Sequence, residues 1–117
     1  MKLITAIVKP EKLDDLIQTV IAAGAHGLTV AQVRGFGRQY GQLTAARAAA
    51  GSSKAAQPAL LPKIRLDIVV HAEHAEAVVE AITKCANTET IGDGKVWVTA
   101  VDAVLRVRTG ERDHDAV

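Results

Sequence analysis

The 117-residue chain predicts an α+β fold of the split βαβ, ferredoxin-like kind, with a βαββαβ order and a short extra strand near the C-terminal end. Three observations predict it. Short apolar or alternating runs at residues 2–8, 27–36, 64–70 and 96–101 have strand spacing. Two stretches between them repeat apolar residues at three- and four-residue intervals, which is helix spacing. A long Ala-, Gly- and Ser-rich interruption separates the first strand–helix–strand unit from the second. The length fits one domain over residues 1–117.

Residues 2–8 are apolar and rich in β-branched side chains, and read as a strand buried on both faces. Pro10 suits the first turn of a helix, where a missing N–H costs nothing. Leu13, Leu16, Ile17, Val20 and Ile21 then form a one-sided stripe, with Glu11, Asp14 and Asp15 at the positive end of the helix dipole. Gly24 fits a C-terminal cap. After Pro62, Ile64, Leu66, Ile68 and Val70 share one face of a strand, and Arg65, Asp67 and Val69 share the other. The second helix turns Ala75, Val78, Val79, Ile82 and Cys85 inward. Ile91-Gly92-Asp93-Gly94-Lys95 reads as a turn into the strand at 96–101, Leu105-Arg106-Val107-Arg108 as the final short strand, and 109–117 as a loose polar tail.

Residues 37–61 carry few large apolar anchors, and an unstructured loop of that length in a compact domain is usually functional or disordered. Two helices can cover only one face of a four-stranded sheet. The apolar side chains on the other face therefore predict a homo-oligomer.

Composition excludes several function classes. Fourteen basic residues against thirteen acidic ones leave a net charge of +1, which argues against a nucleic-acid or membrane binder driven by overall charge. The only aromatics are Phe36, Tyr40 and Trp97, too few for a base-stacking sheet. A single cysteine, Cys85, rules out an internal disulfide and suits a reducing compartment. No apolar run approaches the ~20 residues of a membrane span, and no signal-peptide core is present, so a cytoplasmic protein is expected.

Three segments share an anion-binding character. In Gly35-Phe36-Gly37-Arg38-Gln39 the glycines let backbone N–H groups approach an anion, and Arg38 adds a fork of donors. Gly92-Asp93-Gly94 can build a nest of N–H groups beside Lys95. Taken alone, each of these is more often an ordinary turn. Arg106 and Arg108, at i and i+2 on a strand, would lie ~6.5–7 Å apart on one side, the spacing of two phosphates; a solvated edge is the competing reading. Taken together, Arg38, Lys63, Lys95, Arg106 and Arg108 gather at strand ends and beside loops, which points to a polyphosphate ligand. Neither a Walker-type Gly-x-x-x-x-Gly-Lys-Ser/Thr nor a Gly-x-Gly-x-x-Gly string occurs.

Other polar residues carry less. His71 and His74 stand at i, i+3, but zinc needs a third and fourth ligand and the sequence offers no obvious ones. Cys85 lies on the inward helix stripe as core filler, His26 reads as a turn residue, and Asp93 as a turn residue without a catalytic partner.

Lys9-Pro10, Lys12-Leu13-Asp14-Asp15, Thr29-Val30, Gly35-Phe36-Gly37-Arg38-Gln39, Leu61-Pro62-Lys63, Ile91-Gly92-Asp93-Gly94-Lys95 and Arg106-Val107-Arg108-Thr109-Gly110-Glu111 together resemble the PII signal-transduction proteins, in order along the whole chain. The resemblance implies a homotrimer in which ATP and ADP compete for clefts between neighbouring subunits. Thr29, Gly35, Gly37, Arg38 and Gln39 would line one wall. Gly92, Asp93, Gly94 and Lys95 would cradle phosphates, and Arg106 and Arg108 of the neighbouring subunit would hold the phosphate chain. Gln39 would help hold Mg²⁺ with ATP. Gln39, Gly41 and Lys63 would form the effector site, with Lys63 on a 2-oxoglutarate carboxylate; some divergent relatives respond instead to bicarbonate. Residues 37–61 would be the loop that engages a target enzyme or membrane transporter.

The sequence departs from the family in that loop, which is longer and keeps no tyrosine near its tip, since Tyr40 sits at the base. Glu89-Thr90 also replaces the family's usual Gly-Lys ahead of Ile-Gly-Asp-Gly-Lys. A regulatory sensor is the leading function. A phosphoryl-transfer or weakly ATP-hydrolysing enzyme lacks a nucleophile with its acid or base. A structural or metal-binding trimer like the CutA proteins would leave Arg106 and Arg108 without purpose.

Overall fold

The computed structural model describes residues 1–38, 51 and 60–117, in the order β1 (Lys2–Val8), α1 (Leu13–Ala22), β2 (Thr29–Gly35), β3 (Leu61–Val70), α2 (Ala75–Ala86) and β4 (Gly94–Ala100). Single 3-10 turns at Pro10–Lys12 and Ala72–His74 lead into the two helices. The four strands form an antiparallel sheet in the order β2-β3-β1-β4, the ferredoxin-like arrangement.

The core is one apolar layer between the sheet and both helices. Ile4, Ala6 and Val8 of β1 and Ile64, Leu66, Ile68 and Val70 of β3 meet Leu16 and Val20 of α1 and Val78, Ile82 and Ala86 of α2. Burying each of the larger side chains contributes about 1.5–3 kcal/mol. The helix stripes read from the sequence supply these contacts, although Ile21, in the last turn of α1, stays 53% exposed. Gly24 ends α1 in the left-handed region at φ 109°. The Gly24 N–H donates to the Ile21 carbonyl and the Ala25 N–H to the Val20 carbonyl, at 3.1 and 3.0 Å, which is a Schellman cap.

Four details differ from the sequence reading. β1 is fully buried only on its helix-facing side, because both helices pack on that side; on the other, Leu3 and Ile7 are half-buried. Thr5 is buried there because its Oγ1 donates to Asp67 Oδ1 at 2.8 Å, while Arg65 Nε donates to Asp67 Oδ2 at 2.8 Å. β3 starts at Leu61 and takes in Pro62, which a strand's first residues tolerate. The final short strand is reduced to one bridge, Leu105 to Arg112, with Arg106–Thr109 turning back between them. The Gly110 N–H donates to the Arg106 carbonyl at 2.8 Å, so Arg106-Val107-Arg108 looks alternating in sequence but folds as a turn. The segment read as a loose tail is tied down: Asp113–Ala116 forms a 3-10 turn, and the Asp113 N–H donates to the Val104 carbonyl at 2.8 Å.

Candidate anion-binding cleft

The loop between α2 and β4 is built around one carboxylate. Asp93 accepts hydrogen bonds from the backbone N–H and the hydroxyl of Thr88 and from the Thr90 N–H, and Lys9 Nζ lies 3.1 Å from its Oδ1. Lys9 Nζ also donates to Thr90 Oγ1 at 2.8 Å. These bonds, the two from Thr88 foremost, hold the Asp93 carboxyl far below the usual carboxylate range. Its charge is therefore spent inside the loop, which fits its reading as a turn residue. Glu89, where the family's usual residue is glycine, adopts φ 58°, and its N–H donates to Asn87 Oδ1 at 2.8 Å.

Gly94 begins β4 beside β1. Its φ is 107°, and a Cβ there would stand 1.7 Å from the Ile7 carbonyl oxygen. The turn can enter the sheet only with glycine at this position.

The loop forms one wall of a cleft of about 680 Å³. Gly92, Asp93, Gly94 and Lys95 line that side; Gly35, Gly37 and Arg38, at the end of β2, line the other, with Lys63 of β3 between them. The volume lies within the ordinary range for small-molecule sites, roughly 300–1,000 Å³. Lys63 Nζ donates to the Gly92 carbonyl at 2.7 Å. Burial, and then the neighbouring Lys9, push the Lys63 pKa down, against opposing pulls from Glu11 and Asp93. An anion entering here would restore the charge that burial disfavours. Arg38, Lys63 and Lys95 give the cleft a cationic lining, offset by Glu89 and by the Asp93 carboxylate, which is already paired with Lys9. Such a cavity can hold an anionic ligand by charge-assisted hydrogen bonds and by backbone approach at the glycines.

The family model for nitrogen regulatory protein P-II matches residues 1–111. The chain belongs to the nitrogen regulatory P-II family. It is 46% identical over 117 residues to "Nitrogen regulatory protein P-II 2" of Methanothermobacter thermautotrophicus, covering all of this chain and 97% of that protein. It is 44% identical to "Nitrogen regulatory protein P-II" of Cereibacter sphaeroides and 40% identical to "Nitrogen regulatory protein GlnK" of Escherichia coli K12, each over the full length of both chains. The P-II chain is accordingly a signal-transduction regulator, and its ferredoxin-like fold is the one the sequence predicts. No helix among the described residues is long and apolar enough to cross a membrane.

Within this P-II chain, eight of the site residues read from the sequence meet in the cleft: Gly35, Gly37, Arg38, Lys63, Gly92, Asp93, Gly94 and Lys95. Thr29 does not line the cleft; it stands at the opposite end of β2 from Gly35, about 20 Å away at ~3.3 Å per residue. Arg106 and Arg108 are also outside it, and Arg106 Nη1 is paired with Glu111 at 3.0 Å. Gln39 and Gly41, and with them the expected Mg²⁺ contact, lie outside the described residues, as does nearly all of the loop at 37–61. Sequence reasoning missed the P-II residues that shape the loop: Lys9, Thr88 and Thr90. Lys9 stands 84 residues from Asp93, and threonines five and three residues before an Asp-Gly turn carry no signal that their groups gather on its carboxylate.

Proposed function

We propose that this P-II protein is a nucleotide-responsive regulator of nitrogen or carbon metabolism, binding ATP and ADP competitively in the cleft between Gly35–Arg38 and Gly92–Lys95. The observation that carries the reading is the convergence of Arg38, Lys63 and Lys95 on one cavity walled by two glycine-rich segments. Each charge-assisted hydrogen bond contributes about 1.5–3 kcal/mol, so three or four support micromolar affinity after the cost of association. In this reading the ligand acts as a signal rather than a substrate, in keeping with the regulatory family to which the chain belongs.

The working assembly in this proposal is a cytoplasmic homotrimer. Thr29, Arg106 and Arg108 lie outside the cleft of their own chain, so they serve as the second wall of a neighbour's cleft, with the two arginines on the phosphate chain. The half-open face of the sheet, with Leu3, Ile7 and Trp97, is the surface available for association. Mg²⁺ accompanies ATP through Gln39, and 2-oxoglutarate or bicarbonate binds at Gln39, Gly41 and Lys63. Arg38 stands at the start of residues 37–61 and Lys63 just past their end, so ligands held by them bias the segment that engages a target enzyme or transporter.

Limited proteolysis within residues 37–61 tests the switch. Cleavage rates should differ between ATP and ADP, and shift again when 2-oxoglutarate or bicarbonate is added with ATP. Identical rates in all conditions would contradict it.

A further inference from the structure

The chain's four histidines meet at one end of the molecule, away from the cleft. His71 follows β3 at the end opposite Lys63, some 26 Å along the strand at ~3.3 Å per residue. Its ring centroid lies 3.9 Å from that of His114, 6.0 Å from His74 and 6.1 Å from His26. Glu73 completes a triad with His71 and His114: one ligand atom from each lies within 4.8 Å of the others. We propose that His71, Glu73 and His114 form a binding site for one divalent transition-metal ion per chain, of the zinc class.

The donor set selects the metal. Two imidazoles and one carboxylate suit Zn²⁺ and its first-row neighbours and disfavour Mg²⁺ and Ca²⁺, which take oxygen ligands. The His71 ring is set for ligation. Its Nε2 lies 2.9 Å from the His114 carbonyl oxygen, and a carbonyl can only accept, so Nε2 is the donor and, in the neutral ring, Nδ1 keeps its lone pair. A backbone carbonyl holding the far N–H is the support that metal-ligating histidines ordinarily have. His114 is held by its own turn: the Leu105–Arg112 bridge precedes it, and the Val104 N–H donates to Asp113 Oδ1 at 3.1 Å. His74 and His26, ringed around His71, are the nearest sources of a fourth ligand; water is the other. The sequence hid the site because His114 is 43 residues from His71, and it lies beyond residue 111, where the family match ends.

The test uses the untagged full-length protein, stripped with a chelator and titrated with Co²⁺ and then Zn²⁺. The expected result is one Co²⁺ per chain with the visible d–d bands of a four- or five-coordinate centre, bleached by Zn²⁺ and unaffected by excess Mg²⁺. His71→Ala and His114→Ala should each weaken Zn²⁺ binding at least tenfold, and Glu73→Gln should weaken it less. Zn²⁺ should raise the Tm of the wild-type protein and leave that of His114→Ala unchanged. His114 is exposed, so this variant keeps the core intact and remains a valid control. The absence of d–d bands, a stoichiometry well below one, or Zn²⁺ affinity in His71→Ala and His114→Ala equal to that of the wild type would overturn the site and leave a plain cluster of stacked imidazoles.

Discussion

Lys63 Nζ donates to the Gly92 carbonyl across 2.7 Å, tying the strand that leaves the long loop to the glycine-rich turn before β4. Two distant parts of the chain thereby share one wall of the cleft. Burial, and then the neighbouring Lys9, lower the Lys63 pKa. Lys63→Met keeps the length of the side chain and removes the charge. It should weaken binding of an anionic ligand by roughly tenfold or more, the equivalent of one charge-assisted hydrogen bond at ~1.5–3 kcal/mol. Calorimetric titration of both proteins with ATP, alone and with 2-oxoglutarate, measures this; equal affinities would remove Lys63 from the site.

Gly94 should be the least replaceable residue of the turn. Gly94→Ala forces a Cβ onto the Ile7 carbonyl in a left-handed backbone, and should cost on the order of 3–5 kcal/mol from strain and overpacking combined. Gly27→Ala is the matched control. A Cβ there meets nothing within 4 Å and φ is not in the left-handed region, so the change should lie within about 1 kcal/mol of neutral. Urea unfolding midpoints compare the two directly.

The Asp93 carboxyl predicts an acid dependence of definite sign. Its folded pKa is depressed, chiefly by the Thr88 hydrogen bonds, so its stabilising contribution is present at all pH values above the ordinary carboxylate range. That contribution is lost as pH falls through the depressed folded value. Asp93→Asn should therefore be less stable than wild type at neutral pH, and the difference should shrink in strong acid. Thermal unfolding of both proteins across an acid series measures the gap; a constant gap would show that the charge is not what holds the loop.

Much of this fold is legible from local pattern. The alternation Ile64, Leu66, Ile68, Val70 and the stripe through Leu16 and Val20 depend on neighbouring residues, and the structure buries those side chains. Gly35, Gly37, Gly92 and Gly94 were readable because glycines beside cations have a local chemical meaning. The misreadings have equally physical causes. Arg106-Val107-Arg108 alternates like a strand, but a backbone bond from Gly110 to Arg106 closes it into a turn. The polar residues after Thr109 look loose until Asp113 meets Val104 and His71 meets His114, contacts no local pattern reveals. Thr29 and Gly35, placed on one wall by the family resemblance, stand at opposite ends of β2, a separation within one chain that the resemblance does not show.

The most direct test of the central claim is calorimetric titration of ATP and ADP into the wild-type protein, Arg38→Ala and Arg108→Ala. Arg38 lines the cleft of its own chain and Arg108 does not. The account predicts micromolar binding at one nucleotide per chain, weakened at least tenfold by either substitution. It also predicts partial recovery in mixed assemblies of the two variants, where some clefts draw Arg38 from an Arg108→Ala chain and Arg108 from an Arg38→Ala chain. No measurable heat with the wild-type protein, or affinities untouched by both substitutions, would contradict it.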